Sequence, residues 1–69
     1  MDNVVISTDY ITLGQFLKMA DLVSSGGEAK SFLRMNVILV NGEIENRRGR
    51  KLYEGDVIEV LDKEYRICR

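Results

Sequence analysis

Apolar residues recur early in the chain with the period of an amphipathic helix. They fall at i, i+3, i+4 and i+7 in the segment that holds Leu13, Phe16, Leu17 and Ala20. Thr12 stands directly before this run, and a threonine hydroxyl at that position commonly accepts a hydrogen bond from a free N–H of the first helical turn. The pattern predicts a helix that begins after Thr12 and buries its apolar stripe.

A second helix is predicted from Ser25 onward. The segment Ser25-Gly26-Gly27-Glu28 has the spacing of a capping box, in which the serine side chain accepts from a free N–H and the glutamate reaches back. Lys30 and Arg34, four residues apart, share a solvent-facing side. Asn36 is expected to end the helix in the left-handed conformation, which its short side chain tolerates. The buried stripe consists of Ala29, Phe32 and Leu33.

The second half of the chain has the alternation and turn residues of short strands. Asn41-Gly42, between "VILV" and "EIEN", is a strong hairpin signal because a type I′ turn needs positive φ at both central positions. Glu54-Gly55-Asp56 marks another turn before "VIEV" and "EYRIC", and "VVIS" near the start adds a strand at a sheet edge. The predicted fold is α+β: two N-terminal helices packed on a small, mostly antiparallel twisted β-sheet.

The 69 residues are expected to form a single domain, 1–69, because no proline, low-complexity tract or internal repeat marks a linker. With no histidine and one cysteine, Cys68, the chain has neither an internal disulfide nor the usual zinc ligand sets. The acidic residues form no convincing acid–base pair. We therefore expect no catalytic residue, metal, cofactor or small-molecule substrate.

The start of the chain lacks the features of a signal peptide, and its longest strongly apolar run, "VILV", is too short to span a bilayer. A single cysteine that stays a reduced thiol is typical of a cytosolic protein. The expected location is the cytoplasm, without a membrane partner.

Positive charge is concentrated in the segment Arg47–Lys51, termed the basic loop, of a chain whose formal net charge is -1. Guanidinium groups fit phosphate oxygens two at a time, and Gly49 lets the backbone approach a ligand closely. The alternative interpretation is a solvated charged face that maintains solubility. Lys30 and Arg34 would extend the cluster into one positive strip if loop and helix pack side by side. The candidate phosphate-binding residues of the basic loop are Arg47, Arg48, Arg50 and Lys51.

The start of the second helix is another candidate anion site. Its free N–H groups lie at the positive end of the helix dipole, and Gly26-Gly27 leaves them unshielded. The alternative is that these serines and glycines simply begin a helix.

The order "ITLGQFLKMADLVSSGGEAKSFLRMNVILVNGEIENRRGRKLYEGDVIEV", Ile11 to Val60, resembles the RNA-binding domain named after the fourth protein of the small ribosomal subunit, the S-four domain or αL motif. The most specific pieces are "SGGEAKSFLRMN", "VNG" and "YEGDVIEV". The chain is most similar to the stand-alone bacterial versions, the YaaA-like and YbcJ-like small proteins. The resemblance implies a non-catalytic module that binds structured RNA. Ribosomal RNA or a ribosome-assembly intermediate is the first target, transfer RNA the alternative, and proteins of the ribosomal particle are further partners.

By matched position, the resemblance implies RNA contacts from Ser25, Lys30, Arg34 and Asn41. The basic loop is added to this set from its charge alone. Many members carry an Arg-Leu-Asp opening and a Ser-Arg pair, whereas this chain has Thr12-Leu13-Gly14 and Ser25-Gly26, so two customary basic contacts are missing.

Two other possibilities stay open. Tyr10 or Tyr53 is a candidate for stacking on an unpaired base, although a half-buried position in the sheet is the favoured interpretation. The rival class of function is a protein-interaction module that docks on an acidic or ribosomal protein.

Overall fold

Two helices and seven short strands make up the fold, and the computed structural model describes residues 1–69. This α+β architecture confirms the predicted fold class. In chain order the elements are β1 (Asp2–Val5), β2 (Tyr10–Thr12), α1 (Leu13–Met19), α2 (Gly26–Met35), β3 (Leu39–Val40), β4 (Glu43–Ile44), β5 (Lys51–Tyr53), β6 (Val57–Val60) and β7 (Lys63–Cys68).

Both helices begin where their capping residues predict. At the start of α1 the Thr12 hydroxyl accepts from the Gln15 N–H at 3.2 Å, and the Gln15 side chain accepts from the Thr12 N–H at 2.8 Å. At α2 the Ser25 hydroxyl accepts from the Glu28 N–H at 3.2 Å. The Glu28 carboxylate, however, accepts from the Ser24 hydroxyl instead of reaching back to the Ser25 backbone. The predicted capping box of α2 is therefore only half formed. Neither helix is long and apolar enough to cross a membrane.

The predicted left-handed end of α2 is wrong. Asn36 has φ -131° and ψ 146°, which is extended backbone. Its backbone N–H and its side-chain amide both donate to the Phe32 carbonyl, at 3.0 and 3.1 Å. Because the side chain satisfies that carbonyl, the chain leaves the helix without a left-handed turn.

The main sheet has five strands in the order β1-β7-β6-β3-β4. This order places the N-terminal strand β1 at an edge, as predicted. The β1–β7 pair is parallel and the other pairs are antiparallel. Asn41 and Gly42 have φ of 52° and 84°, which confirms the predicted type I′ turn between β3 and β4. Leu61 and Asp62, with φ of 51° and 63°, make another turn with positive φ at two successive residues, which the sequence did not indicate.

A separate two-stranded ribbon joins β2 to β5. Its antiparallel register places Ile11 opposite Leu52 and Thr12 opposite Lys51. The ribbon was not predicted, and it carries the end of the basic loop to the first residue of α1.

The helices cover one face of the five-stranded sheet. Phe16 of α1 meets Tyr65 of β7 edge to face, with ring centroids 5.2 Å apart. Along β6 and β7, buried residues that face the helices alternate with residues on the uncovered outer face. The outer residues include Glu59, Glu64 and Arg66. Fifteen buried apolar side chains form one cluster, whose largest fully buried members are Phe16, Leu13, Leu17, Ile38, Leu52, Ile58, Ile67 and Val40.

Candidate nucleic-acid interface

The basic loop is organised by a buried carboxylate, Glu45. The Glu45 side chain is only 7% exposed, and it forms ion pairs with Arg47 at 3.0 Å and with Arg50 at 2.8 Å. Its Oε2 also accepts from the backbone N–H groups of Asn46 and Arg47. Two of the four cations of the loop are therefore partly engaged in folding the loop itself.

The charge of Glu45 is strongly favoured in the folded protein. Hydrogen bonds from the Arg47 side chain hold the pKa of Glu45 far below its ordinary value; burial opposes this, and Arg50 and the Arg47 N–H lower it further. The same side-chain contact raises the pKa of Arg47. Arg47 nevertheless leaves 71% of its side chain exposed and can still meet a ligand, whereas Arg50 is 31% exposed.

Arg48 fastens the basic loop to the starts of both helices. Its Nη1 donates to the Gly26 carbonyl at 3.1 Å, and its own carbonyl accepts from the Gly14 N–H at 2.9 Å. A Cβ added at Gly14 would lie 2.6 Å from Arg48 Cγ. Gly14, the last residue of the Thr12-Leu13-Gly14 segment, is thus the residue over which the Arg48 stem packs.

A cleft without any apolar side chain opens at this junction. It encloses about 330 Å³ and is termed the polar cleft. Lys18 and Arg48 supply positive charge, and Gly26 and Gly49 expose backbone there. No carboxylate lines it, which makes it suited to an anion such as a phosphate. Its lining consists of Thr12, Gly14, Gln15, Lys18, Gly26, Arg48 and Gly49.

The residue before the basic loop lies beside the exposed face of α2. Asn46 shares a groove with Lys30 and Arg34, and Arg48 reaches Gly26 at the first residue of the helix. These two contacts bring the loop close to α2, and the positive strip itself stays a prediction. Lys30 and Arg34 thus lie near the start of the basic loop.

Ser25 and Asn41 have their side chains engaged within the chain. The Ser25 hydroxyl caps α2, next to Gly26 of the polar cleft. The Asn41 amide donates to the Asp56 carboxylate at 3.0 Å and accepts from the Val57 N–H at 2.9 Å. Asn41 thereby ties the β3–β4 turn to the start of β6, and its RNA contact stays a prediction.

Lys18 is the cation that sequence reasoning missed. It lies in the last turn of α1, three residues after Gln15, and both are exposed and line the polar cleft. The spacing of Gln15 and Lys18 marks one exposed helix face. Nothing local to α1 indicates that the basic loop docks on that face, 30 residues later in the chain.

Comparison with known proteins identifies the family of the chain. The S4 domain family matches residues 4–68. The chain is also 61% identical, over 57 residues, to the "Probable ribosome maturation protein RlbA" of Bacillus subtilis (strain 168), a match that covers 83% of this chain and 80% of that relative. The match to the family extends over nearly the whole length of the chain, and the chain belongs to the S4 domain family.

Proposed function

We propose that this protein is a non-catalytic RNA-binding module that acts on ribosomal RNA or on a ribosome-assembly intermediate. Membership of the S4 domain family supports RNA binding as the class of function. The name of the Bacillus relative, a ribosome maturation protein, supports the ribosomal target. The observation that carries the proposal is the polar cleft, where Lys18 from the last turn of α1 lies near Arg48, which contacts the starts of both helices.

The cations around the cleft are available to a ligand. The ion pairs within the chain join Glu45 to Arg47, Glu45 to Arg50 and Asp9 to Arg69. Lys18, Lys30, Arg34, Arg48 and Lys51 take part in none of them. Their binding to phosphates would release counterions, so with about three to five phosphates contacted the affinity should fall with salt at a log–log slope of roughly -2 to -5.

Binding in this proposal relies on charge and shape. Double-stranded RNA is recognised largely through phosphate and 2′-OH contacts across its wide minor groove. The two helix starts and the basic loop would position the RNA backbone. Ser25, Lys30, Arg34, Arg47, Arg50 and Lys51 would extend the contact from the cleft, and Asn41 would contribute from its turn. The cleft lining has no carboxylate, thiol or imidazole that would act as a general base, which favours binding over turnover.

The proposal is tested by measuring affinity against salt concentration for ribosomal RNA, transfer RNA and duplex DNA of similar length. We expect tight binding to ribosomal RNA with a clear salt slope. Arg48→Ala or Lys18→Ala should weaken binding and each reduce the slope by about one. Arg66→Ala is the matched control, because Arg66 is an exposed arginine of the outer sheet face and should change neither quantity.

Each other outcome contradicts a named part of the proposal. Preference for transfer RNA would overturn the ribosomal target and retain the RNA class. No binding to any of the nucleic acids at low salt would overturn RNA binding and favour a protein partner. An equal effect of Arg66→Ala and Arg48→Ala would remove the polar cleft from the mechanism. A target on ribosomal particles would also place the protein in the cytoplasm.

A further inference from the structure

Two tyrosines lie directly opposite each other on the exposed face of the β2–β5 ribbon. Tyr10 pairs in register with Tyr53, and their ring centroids are 5.8 Å apart with an interplanar angle of 48°. Tyr10 is 39% exposed and Tyr53 49%. On the other face of the ribbon Ile11 and Leu52 are buried in the core. The fold is therefore anchored by the inner pair, and the outer pair presents two aromatic rings to solvent.

Positive charge accompanies this tyrosine pair. The Lys51 ammonium lies 4.9 Å from the centroid of the Tyr10 ring, a cation–π geometry. Lys51 and Tyr53 are two residues apart on β5 and so point to the same side of the ribbon. A cation beside two exposed rings is the combination that single-stranded nucleic-acid sites use for phosphate and base.

The tyrosine pair is continuous with the polar cleft. Thr12, which faces Lys51 across the ribbon and stands two residues from Tyr10, lines the cleft. Gln15 lines the cleft on one side and, on the other, a groove of about 580 Å³ that Tyr10 also borders. Two residues along a strand span about 7 Å, a distance that one nucleotide can bridge. Open space for a base thus adjoins a site for its phosphate.

We propose that Tyr10 and Tyr53 form a stacking site for one unpaired nucleobase, whose flanking phosphates are held by Lys51 and the polar cleft. The inference rests on the proposed RNA binding and narrows its ligand to RNA with an unpaired nucleotide, such as a bulge or a loop, beside a helix. Every base has a π-face, so the tyrosine pair selects unpaired over paired nucleotides and not one base over another.

The test compares two RNAs, a perfect duplex and the same duplex with one additional, bulged 2-aminopurine. We expect the protein to prefer the RNA with the unpaired nucleotide and to quench its fluorescence. Tyr53→Val keeps strand propensity and removes the ring. It should weaken binding to that RNA by about 5- to 50-fold and abolish the quenching, with duplex affinity unchanged. Tyr53→Phe retains the ring and should behave like the unsubstituted protein.

The outcomes separate this inference from the proposed function. Equal affinity for the two RNAs, without quenching, would overturn the tyrosine site and leave RNA binding intact. Failure to bind either RNA would overturn the proposed function itself. A loss of affinity for both RNAs in Tyr53→Val would assign Tyr53 to general backbone contact and contradict base stacking. Because the comparison of the two RNAs uses the unsubstituted protein, it decides the question even if a variant folds poorly.

Discussion

At the scale of single residues, Glu45 decides which cations of the basic loop remain free. Its carboxylate is buried and holds the side chains of Arg47 and Arg50, whereas Arg48 turns to Gly26 and Lys51 to Tyr10. The sequence shows a dense run of positive charge but not this division. Glu45 comes directly after β4, whose two residues are both exposed, and its N–H donates to the Ile38 carbonyl at 2.9 Å. No local pattern therefore indicates that Glu45 is buried.

Replacement of Glu45 by glutamine should lower the free energy of unfolding at pH 7 by about 1–2 kcal/mol, because hydrogen bonds to a charged acceptor are lost. It should also change the response to acid. The Arg47 side chain, followed by Arg50, holds the pKa of Glu45 below its unfolded value, so Glu45 stabilises the fold above about pH 4.3 and loses that contribution as the pH falls further. Urea unfolding between pH 5 and 3 measures this.

We expect Glu45→Gln to lose less stability in that pH range than the unsubstituted protein. Glu43→Gln is the matched control, since Glu43 lies two residues away, is exposed and takes part in no ion pair. It should reproduce the unsubstituted acid response. Parallel acid profiles for Glu45→Gln and the unsubstituted protein would mean that the Glu45 contacts do not contribute to stability.

At the scale of elements, local signals predicted what depends on neighbouring residues. Thr12 and Ser25 cap the helices, and Asn41-Gly42 turns the hairpin, because each acts on atoms within four residues. The β2–β5 ribbon was missed, since its two strands have three residues each and their pairing joins distant parts of the chain. The predicted left-handed conformation of Asn36 was wrong because a hydrogen bond from its side chain replaced the expected backbone turn.

The outer face of the sheet holds an unfavourable pair of charges. Glu59 of β6 and Glu64 of β7 are directly opposite each other, and neither has a cation within ion-pair distance. Like charges in this position destabilise a sheet. Glu64→Lys should therefore raise the free energy of unfolding by about 0.5–1 kcal/mol, measured by urea unfolding at low salt.

The control for this change is Glu54→Lys, which makes the same charge change in an exposed turn residue between β5 and β6. It has no cross-strand partner and should alter stability much less. The gain of Glu64→Lys should shrink as salt is added. Equal gains from the two variants would attribute the effect to net charge instead of the Glu59–Glu64 pair.

At the scale of the whole molecule, tertiary packing creates the candidate site. The basic residues of the loop and of α2 were proposed from their charge and spacing, and the fold places Asn46, the residue before the loop, beside Lys30 and Arg34. Lys18 joined the polar cleft only through the docking of Arg48 on Gly14 and Gly26, which involves three separate segments. Periodicity cannot report such an assembly, because each segment is read alone.

The division of the basic loop into free and engaged cations can be tested with two variants of identical charge. One replaces Arg48 and Lys51 by alanine, and the other replaces Arg47 and Arg50. Both remove two positive charges, so long-range electrostatic attraction changes alike. The first should reduce the salt slope of RNA binding by about two and change the free energy of unfolding by less than about 1 kcal/mol.

The second variant leaves the Glu45 carboxylate buried with only backbone donors, so it should be less stable than the first variant. Its effect on the salt slope at a temperature where it is folded should be smaller, because Arg50 is mostly covered and both arginines already neutralise Glu45. Equal slopes and equal stabilities in the two variants would mean that net charge alone governs binding. If the salt slopes and stabilities of the two variants differ in the stated directions, Arg48 and Lys51 mainly bind the RNA, and Arg47 and Arg50 mainly stabilise the loop.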